Sequence, residues 1–196
     1  QLLQGDLGFS VRSHVPVAEL LAGRLLASMK LALVAIGFPL ILGFPAGVIA
    51  ALNRGKSLDT MSKILALLGQ SLPSFWVGIL LIQLFSVKLE LLPVSGLGGP
   101  AHYILPGFTM SLFLVAGVTR LLRTGMIEVL DSEFVRFARS KGVTERFIIW
   151  KHALRNAIVP VLGFGGVYFS ILITMSIVVE VVFAWPGIGR LALNAI

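Results

Sequence analysis

The sequence contains no cysteine, which excludes disulfide staples and thiolate metal sites without naming a compartment. Charge is scarce too. Asp, Glu, Lys and Arg make up 13% of the residues against 57% hydrophobic ones, and the mean hydropathy is +0.96, whereas soluble domains carry roughly 25% charged residues. No basic flank followed by a short apolar core opens the chain, so a secretory leader is absent from QLLQGDLGFS. An initiator Met is lacking as well, and a segment upstream of Gln1 is expected. No G-x-x-x-x-G-K-[ST] phosphate loop occurs, nor any internal repeat or separate soluble domain.

What is present is apolar sequence in long blocks. The windows 31–53, 64–87, 91–119 and 156–179 hold no charged residue, and each has room for the ~20 residues that an α-helix needs to cross the hydrocarbon core. The third window includes the Gly- and Pro-rich loop LLPVSGLGGPAH, so the spans are expected at about 31–53, 64–87, 103–122 and 156–180. The predicted fold is an all-α polytopic helix bundle. Residues 1–30 form an N-terminal segment with a lateral helix after Pro16, and 31–196 form the membrane core. Gly37, Gly43, Gly47, Gly69, Gly163, Gly165 and Gly166 fall inside spans, where small residues let helices approach closely.

The net charge of +7 is unevenly placed. Arg54, Lys56 and Lys63 follow the first span. Arg120, Arg123, Arg136, Arg139, Lys141, Arg146, Lys151 and Arg155 follow the third. By the positive-inside rule these segments face the cytoplasm, and the basic charge reports topology rather than nucleic-acid binding. Both ends of the chain then lie outside.

Loop 123–155 is too long for a simple connection, since helix links run roughly 2–8 residues. Met126, Leu130, Phe134, Phe137 and Ala138 recur at helical spacing before Gly142, and Phe147, Trp150, Leu154 and Ile158 do so after it. Two amphipathic helices meeting at Gly142 are expected, with Thr144 as N-cap and Glu145 at the positive helix end.

Arg136-Phe137-Ala138, Gly142 and His152-Ala153-Leu154-Arg155 are similar in spacing to the EAA-x3-G-x9-I-x-L-P signature of permease subunits of binding-protein-dependent ABC importers, although only Ala138, Gly142 and Leu154 match in identity. RFARSKG followed by KHALRNAIVP more closely resembles the branch comprising dipeptide, oligopeptide, glutathione and nickel permeases. GDLGFS, SLPSFWVGILL, LLPVSG, HYILP and VVEVVFAWPGIGRL resemble the same branch in the same order, across essentially the whole chain.

The resemblance implies a bacterial or archaeal inner-membrane permease with one further span at each end. Its partners would be a second permease subunit, giving a heterodimer, two cytoplasmic ATPase subunits and an extracytoplasmic binding protein. No cofactor is expected in this chain, and ATP and Mg belong to the ATPases. The coupling elbow would comprise Arg136, Ala138, Arg139, Lys141, Gly142, Val143, Thr144, Glu145 and Arg146, with Phe147 and Trp150 anchoring it against the bundle. Gln83, Tyr168 and Thr174 are candidates for the translocation path. Glu180, Trp185, Pro186 and Gly187 would lie at the binding-protein rim, although a Trp there also fits an aromatic belt and an acid there can reach the interface.

The alternative reading is an ion-coupled secondary transporter, followed by an intramembrane enzyme. The first commonly carries embedded acids or inverted repeats; the second needs paired catalytic groups at depth. The apolar windows supply no acids, and GFTMS at 107–111 lacks the G-x-S-x-G spacing. His14, His102 and His152 belong to different loops, which leaves a shared metal site without support.

Overall fold

The computed structural model describes residues 8–10 and 14–195, apart from the side chains of 173–175. Apart from one isolated bridge between Phe9 and Pro16, the described elements are helical. Helix α1 (Val17–Phe38) passes through a π turn (Pro39–Gly43) into α2 (Phe44–Leu52). After a short turn come α3 (Ser57–Ser71) and α4 (Ser74–Leu81), the latter continued by a π segment (Ile82–Lys88). A loop and a 3-10 turn (Pro100–Tyr103) lead into α5 (Ile104–Leu130). Then follow α6 (Glu133–Ser140), α7 (Glu145–Phe147), a π segment (Ile148–Ala153), α8 (Leu154–Val182) and α9 (Ile188–Ala195).

Three stretches are long and apolar enough to cross a membrane: Val17–Leu52, Pro100–Leu130 and Glu145–Leu172. The fourth expected span is divided. Ser57–Ser71 and Ser74–Lys88 meet at a bend of 107°, placed where Pro73 cannot donate the backbone bond that would carry α3 into α4. The lateral helix after Pro16 is continuous with the first span, and at 1.5 Å per residue the 36 residues of Val17–Leu52 reach about 54 Å, beyond the ~30 Å hydrocarbon core. Helix α5 likewise runs past residue 122 to Leu130.

Contacts divide the chain into two compact units. One comprises Gln1–Val34, Ser74–Met110 and Leu172–Ile196; the other comprises Ala35–Pro73 and Ser111–Ile171. Small residues set the spacing in the second. A Cβ on Gly43 would stand 2.9 Å from the Val115 carbonyl oxygen, and one on Gly47 would stand 3.0 Å from that of Thr119. The Thr119 hydroxyl donates to the Gly43 carbonyl at 3.2 Å. Lacking side chains at these positions, the π turn and α2 lie directly on α5, and the Thr119 hydroxyl is shared between the Gly43 carbonyl and, at 2.8 Å, the Val115 carbonyl of its own helix. Gly163, Gly165 and Gly166 do not act this way, because among the described residues nothing lies within 4 Å of a Cβ built there.

In the first unit, α1 is tied to the turn between α8 and α9. Trp185 and Phe183 are fully or nearly fully buried, the Trp185 indole donates to the Ala27 carbonyl at 3.2 Å, and Gly96 N–H donates to the Phe183 carbonyl at 2.9 Å.

Candidate functional site

The incoming helix of the basic loop does not run unbroken to Gly142. Helix α5 ends at Leu130, and Ser132 adopts extended backbone (φ −71°, ψ 153°) as the cap of α6. Met126 and Leu130 therefore belong to α5, while α6 is fixed by Val135, which is fully buried. Ser140 and Lys141 bring α6 to its end, and Gly142 turns the chain at φ +77°, a region that only glycine occupies without strain. Val143 N–H donates to the Ala138 carbonyl at 3.2 Å and Gly142 N–H to the Arg139 carbonyl at 2.9 Å. These two bonds form a Schellman cap, which satisfies carbonyls at the helix end. Among the described residues nothing lies within 4 Å of a Cβ on Gly142, so the glycine is required by backbone conformation and not by close packing.

Thr144 occupies the N-cap position of α7, but its side chain makes no capping bond. Its carbonyl instead accepts from Phe147 and Ile148 at 3.0 and 3.1 Å. Glu145 serves the turn differently. Arg139 donates to it from Nε at 2.6 Å and from Nη2 at 3.3 Å, a two-point ion pair that spans the elbow. The bond to Glu145 raises the Arg139 pKa, and the bond from Arg139 lowers that of Glu145, so both groups are held in their charged forms. Both are exposed, so the pair is screened and adds little stability; it links the last turn of α6 to the start of α7.

The remaining expected contacts face outward. Arg136 pairs with Glu133 at 2.9 Å. Lys141 lies 4.4 Å from the Phe137 ring centroid, and Arg146 makes no ion pair among the described residues. Thr144, Arg146, Phe147, Trp150 and Lys151 line an open groove of about 540 Å3. Trp150 is 55% exposed, while Phe147, 44% exposed, makes its ring contact within the elbow itself, against His152. Ile148 and Ala153, both fully buried, hold that side, and His152 packs edge-on against Phe134 and Phe147 at 6.1 and 5.5 Å. The small side chain of Ala153 carries no aromatic or charge signal, which is why sequence periodicity favoured its larger neighbours.

Other candidates separate. Gln83 is exposed on the π segment after α4. Tyr168 is buried, with its ring stacked against Phe113 at 5.2 Å and Phe164 at 5.8 Å, so its ring serves packing within the chain. Thr174 lies on α8, and its side chain is outside the described residues.

Glu180 does not reach the interface, for its side chain is fully buried. It accepts from the Ser28 hydroxyl at 2.6 Å and from Arg190 N–H at 3.0 Å, while Ser28 Oγ accepts from Ile188 N–H at 2.9 Å. Gly187 sits directly against the carboxylate, in space that a Cβ would fill. Trp185 is buried and meets Tyr103 edge-on at 4.7 Å, which overturns the aromatic-belt reading, and Pro186 is half-buried beside it.

One cluster escaped the sequence reading. Asp59 is 1% exposed and accepts from Arg123 Nε at 2.5 Å, Arg123 Nη2 at 2.9 Å and Gly55 N–H at 2.9 Å, with Lys63 at 3.4 Å. The i,i+4 spacing of Asp59 and Lys63 was legible. Arg123, 64 positions away, was not.

The model of the family described as binding-protein-dependent transport system inner membrane component matches residues 43–196. The chain is 42% identical over 194 residues to the glutathione transport system permease protein GsiC of Escherichia coli strain K12, and 41% identical to that of Shigella flexneri serotype 5b. Each alignment covers 99% of this chain but 63% of the relative, so the chain spans under two thirds of their length. The fold resembles a chain of the MetNI methionine ABC transporter in an inward-facing conformation, with a TM-score of 0.74 at 18% identity over 91% of this chain and 81% of that one. It also resembles a chain of an amino acid ABC transporter crystallised with histidines, with a TM-score of 0.66 at 19% identity over 91% and 78%. With its helical membrane spans and a family match over most of its length, the chain belongs to the binding-protein-dependent transport system inner membrane components, a family of multi-pass permeases.

Proposed function

We infer that this chain forms half of the translocation pathway of an ATP-driven importer and receives the force of ATP hydrolysis through the elbow at Gly142. The observation that carries the reading is the elbow itself. It is a short helix closed by a Schellman cap, braced across its turn by Arg139 and Glu145, fixed underneath by Val135 and Ile148, and presenting Arg136, Lys141 and Arg146 outward. A rigid, charged projection suits docking on a partner protein, where charge complementarity sets register and orientation, and a rigid attachment to spans turns displacement into helix movement.

The chain itself performs no chemistry in this account. ATP and Mg are bound by two cytoplasmic ATPase subunits, a second permease subunit completes the pathway, and a binding protein delivers solute to the outer rim near the Trp185-Pro186-Gly187 turn. The substrate class is peptides and related small solutes. Glutathione is favoured within that class by the names of the relatives.

The test is Gly142→Pro in the full-length protein, assembled with its partners in proteoliposomes. Proline fixes φ near −65° and cannot take the observed +77°. The expected outcome is normal membrane insertion and complex yield, with ATP-dependent uptake falling by about tenfold or more while ATP hydrolysis continues. Unchanged uptake would refute the coupling role, and uptake by the permease alone under a proton or sodium gradient would refute the ATP-driven reading.

A further inference from the structure

A cavity of about 330 Å3 lies between α3 and α5, lined by Ser62, Lys63, Ala66, Leu67 and Gln70 from one helix and by Thr119, Arg120, Arg123 and Thr124 from the other. Both sets recur at one-face helical spacing, and the volume falls within the usual range for a ligand site, roughly 300–1,000 Å3. Charge is unbalanced there. Lys63 and Arg123 share a single carboxylate, that of Asp59, and Arg120 makes no ion pair among the described residues. Beyond the cations the lining mixes Ser62, Gln70, Thr119 and Thr124 with Ala66 and Leu67, and its accessible surface is mostly apolar. Ala66 is buried and Leu67 is 61% exposed, with Ile64 and Leu68 also exposed nearby on α3.

We propose that this cavity is a binding site for an anionic membrane phospholipid, with the phosphate held by Arg120 and Lys63 and an acyl chain laid along Ala66 and Leu67. Three cations against one carboxylate leave a net positive charge for the phosphate to neutralise. A soluble anion would satisfy the cations but leave the apolar wall bare, whereas a phospholipid matches both ends. The location agrees: Lys63, Arg120 and Arg123 belong to the segments that the charge asymmetry assigns to the cytoplasmic face, where anionic lipid collects and basic pockets between helices hold lipid headgroups, while Ala66 and Leu67 lie in the adjoining apolar window. Arg123 is committed to Asp59 and supplies background charge. Arg120 has no ion-pair partner among the described residues and is well suited to phosphate because its donors form a planar fork. The proposal needs only the membrane placement of the chain, so it stands or falls apart from the ATP-coupling reading.

Native mass spectrometry of the full-length protein, extracted from nanodiscs of equal parts phosphatidylcholine and phosphatidylglycerol, tests it. The expected result is retained phosphatidylglycerol in preference to phosphatidylcholine, with retention weakened roughly fivefold by Arg120→Gln, as loss of one cation near the headgroups implies. Lys56→Gln, a change to an exposed loop lysine outside the cavity, should leave retention unaltered. Equal retention by wild type and Arg120→Gln, or an equal loss in Lys56→Gln, would overturn the site. Glycerol phosphate should fail to compete at concentrations where a short-chain phosphatidylglycerol succeeds; equal competition by both would overturn the lipid assignment and leave a simple anion site.

Discussion

At Glu180 a single carboxylate organises three backbone segments. Ser28 of α1 and the Arg190 amide of α9 both donate to it, and Gly187 leaves the space its oxygens occupy. Burial of such a group is tolerable only because its acceptors are used, since an unmet buried polar group costs about 1–3 kcal/mol. Gly187→Ala should therefore be costly, because its methyl group meets the carboxylate and forces a shift in a packed region, with a loss of roughly 1–3 kcal/mol. The check is thermal unfolding of the purified protein in detergent, where a lowered midpoint is expected. Glu180→Ala combined with Gly187→Ala should lose less than the sum of the two single changes, because removing the carboxylate removes the clash. Strict additivity would show that the two residues do not share this space.

At the scale of elements, the junction of α3 and α5 depends on Asp59. Its carboxylate is almost fully buried, and the Arg123 side chain is 20% exposed. Breaking a buried pair from one side leaves a charge without compensation, at a cost of roughly 3–5 kcal/mol. Asp59→Ala is expected to destabilise by about that amount, measured as lost yield of folded protein and a lower unfolding midpoint. Asp59→Leu combined with Arg123→Met should recover most of the loss, because a well-packed apolar pair avoids the desolvation penalty. A double variant as unstable as the single one would mean that the charges themselves, and not their mutual compensation, hold the helices.

The same scale shows what could be read from sequence around the elbow. Gly142 was identifiable because a glycine between two periodic segments marks a left-handed turn, and the structure places it at φ +77°. The break at Asp131–Ser132 was hidden, since the apolar residues on either side keep nearly the same helical phase. Thr144 was expected to cap by its side chain, and the Arg139–Glu145 bridge across the turn took the part of closing the elbow instead.

For the whole molecule, orientation in the bilayer is the property most open to direct test. These 196 residues contain no cysteine, so single introduced thiols are read without background once any native thiol elsewhere in the full-length protein is replaced by serine. Ser140→Cys, on the exposed end of α6, should resist a membrane-impermeant maleimide in spheroplasts and react once the membrane is opened. Ser95→Cys, in the exposed loop before α5, should react at once. The reverse pattern would invert the topology and remove the elbow from the cytoplasm.

Sequence by itself determined the class of the protein. Apolar blocks of spanning length, the one-sided placement of basic residues and the ordered motifs each depend on local composition or short-range spacing, which the chain carries without folding. Only the tertiary structure decided which polar groups are buried and with whom. Ser28 meets Glu180 across 152 positions, Asp59 meets Arg123 across 64, and Trp185 finds the Ala27 carbonyl across 158. Such pairings follow from how helices cross and pack, a property of long-range geometry that no local pattern encodes.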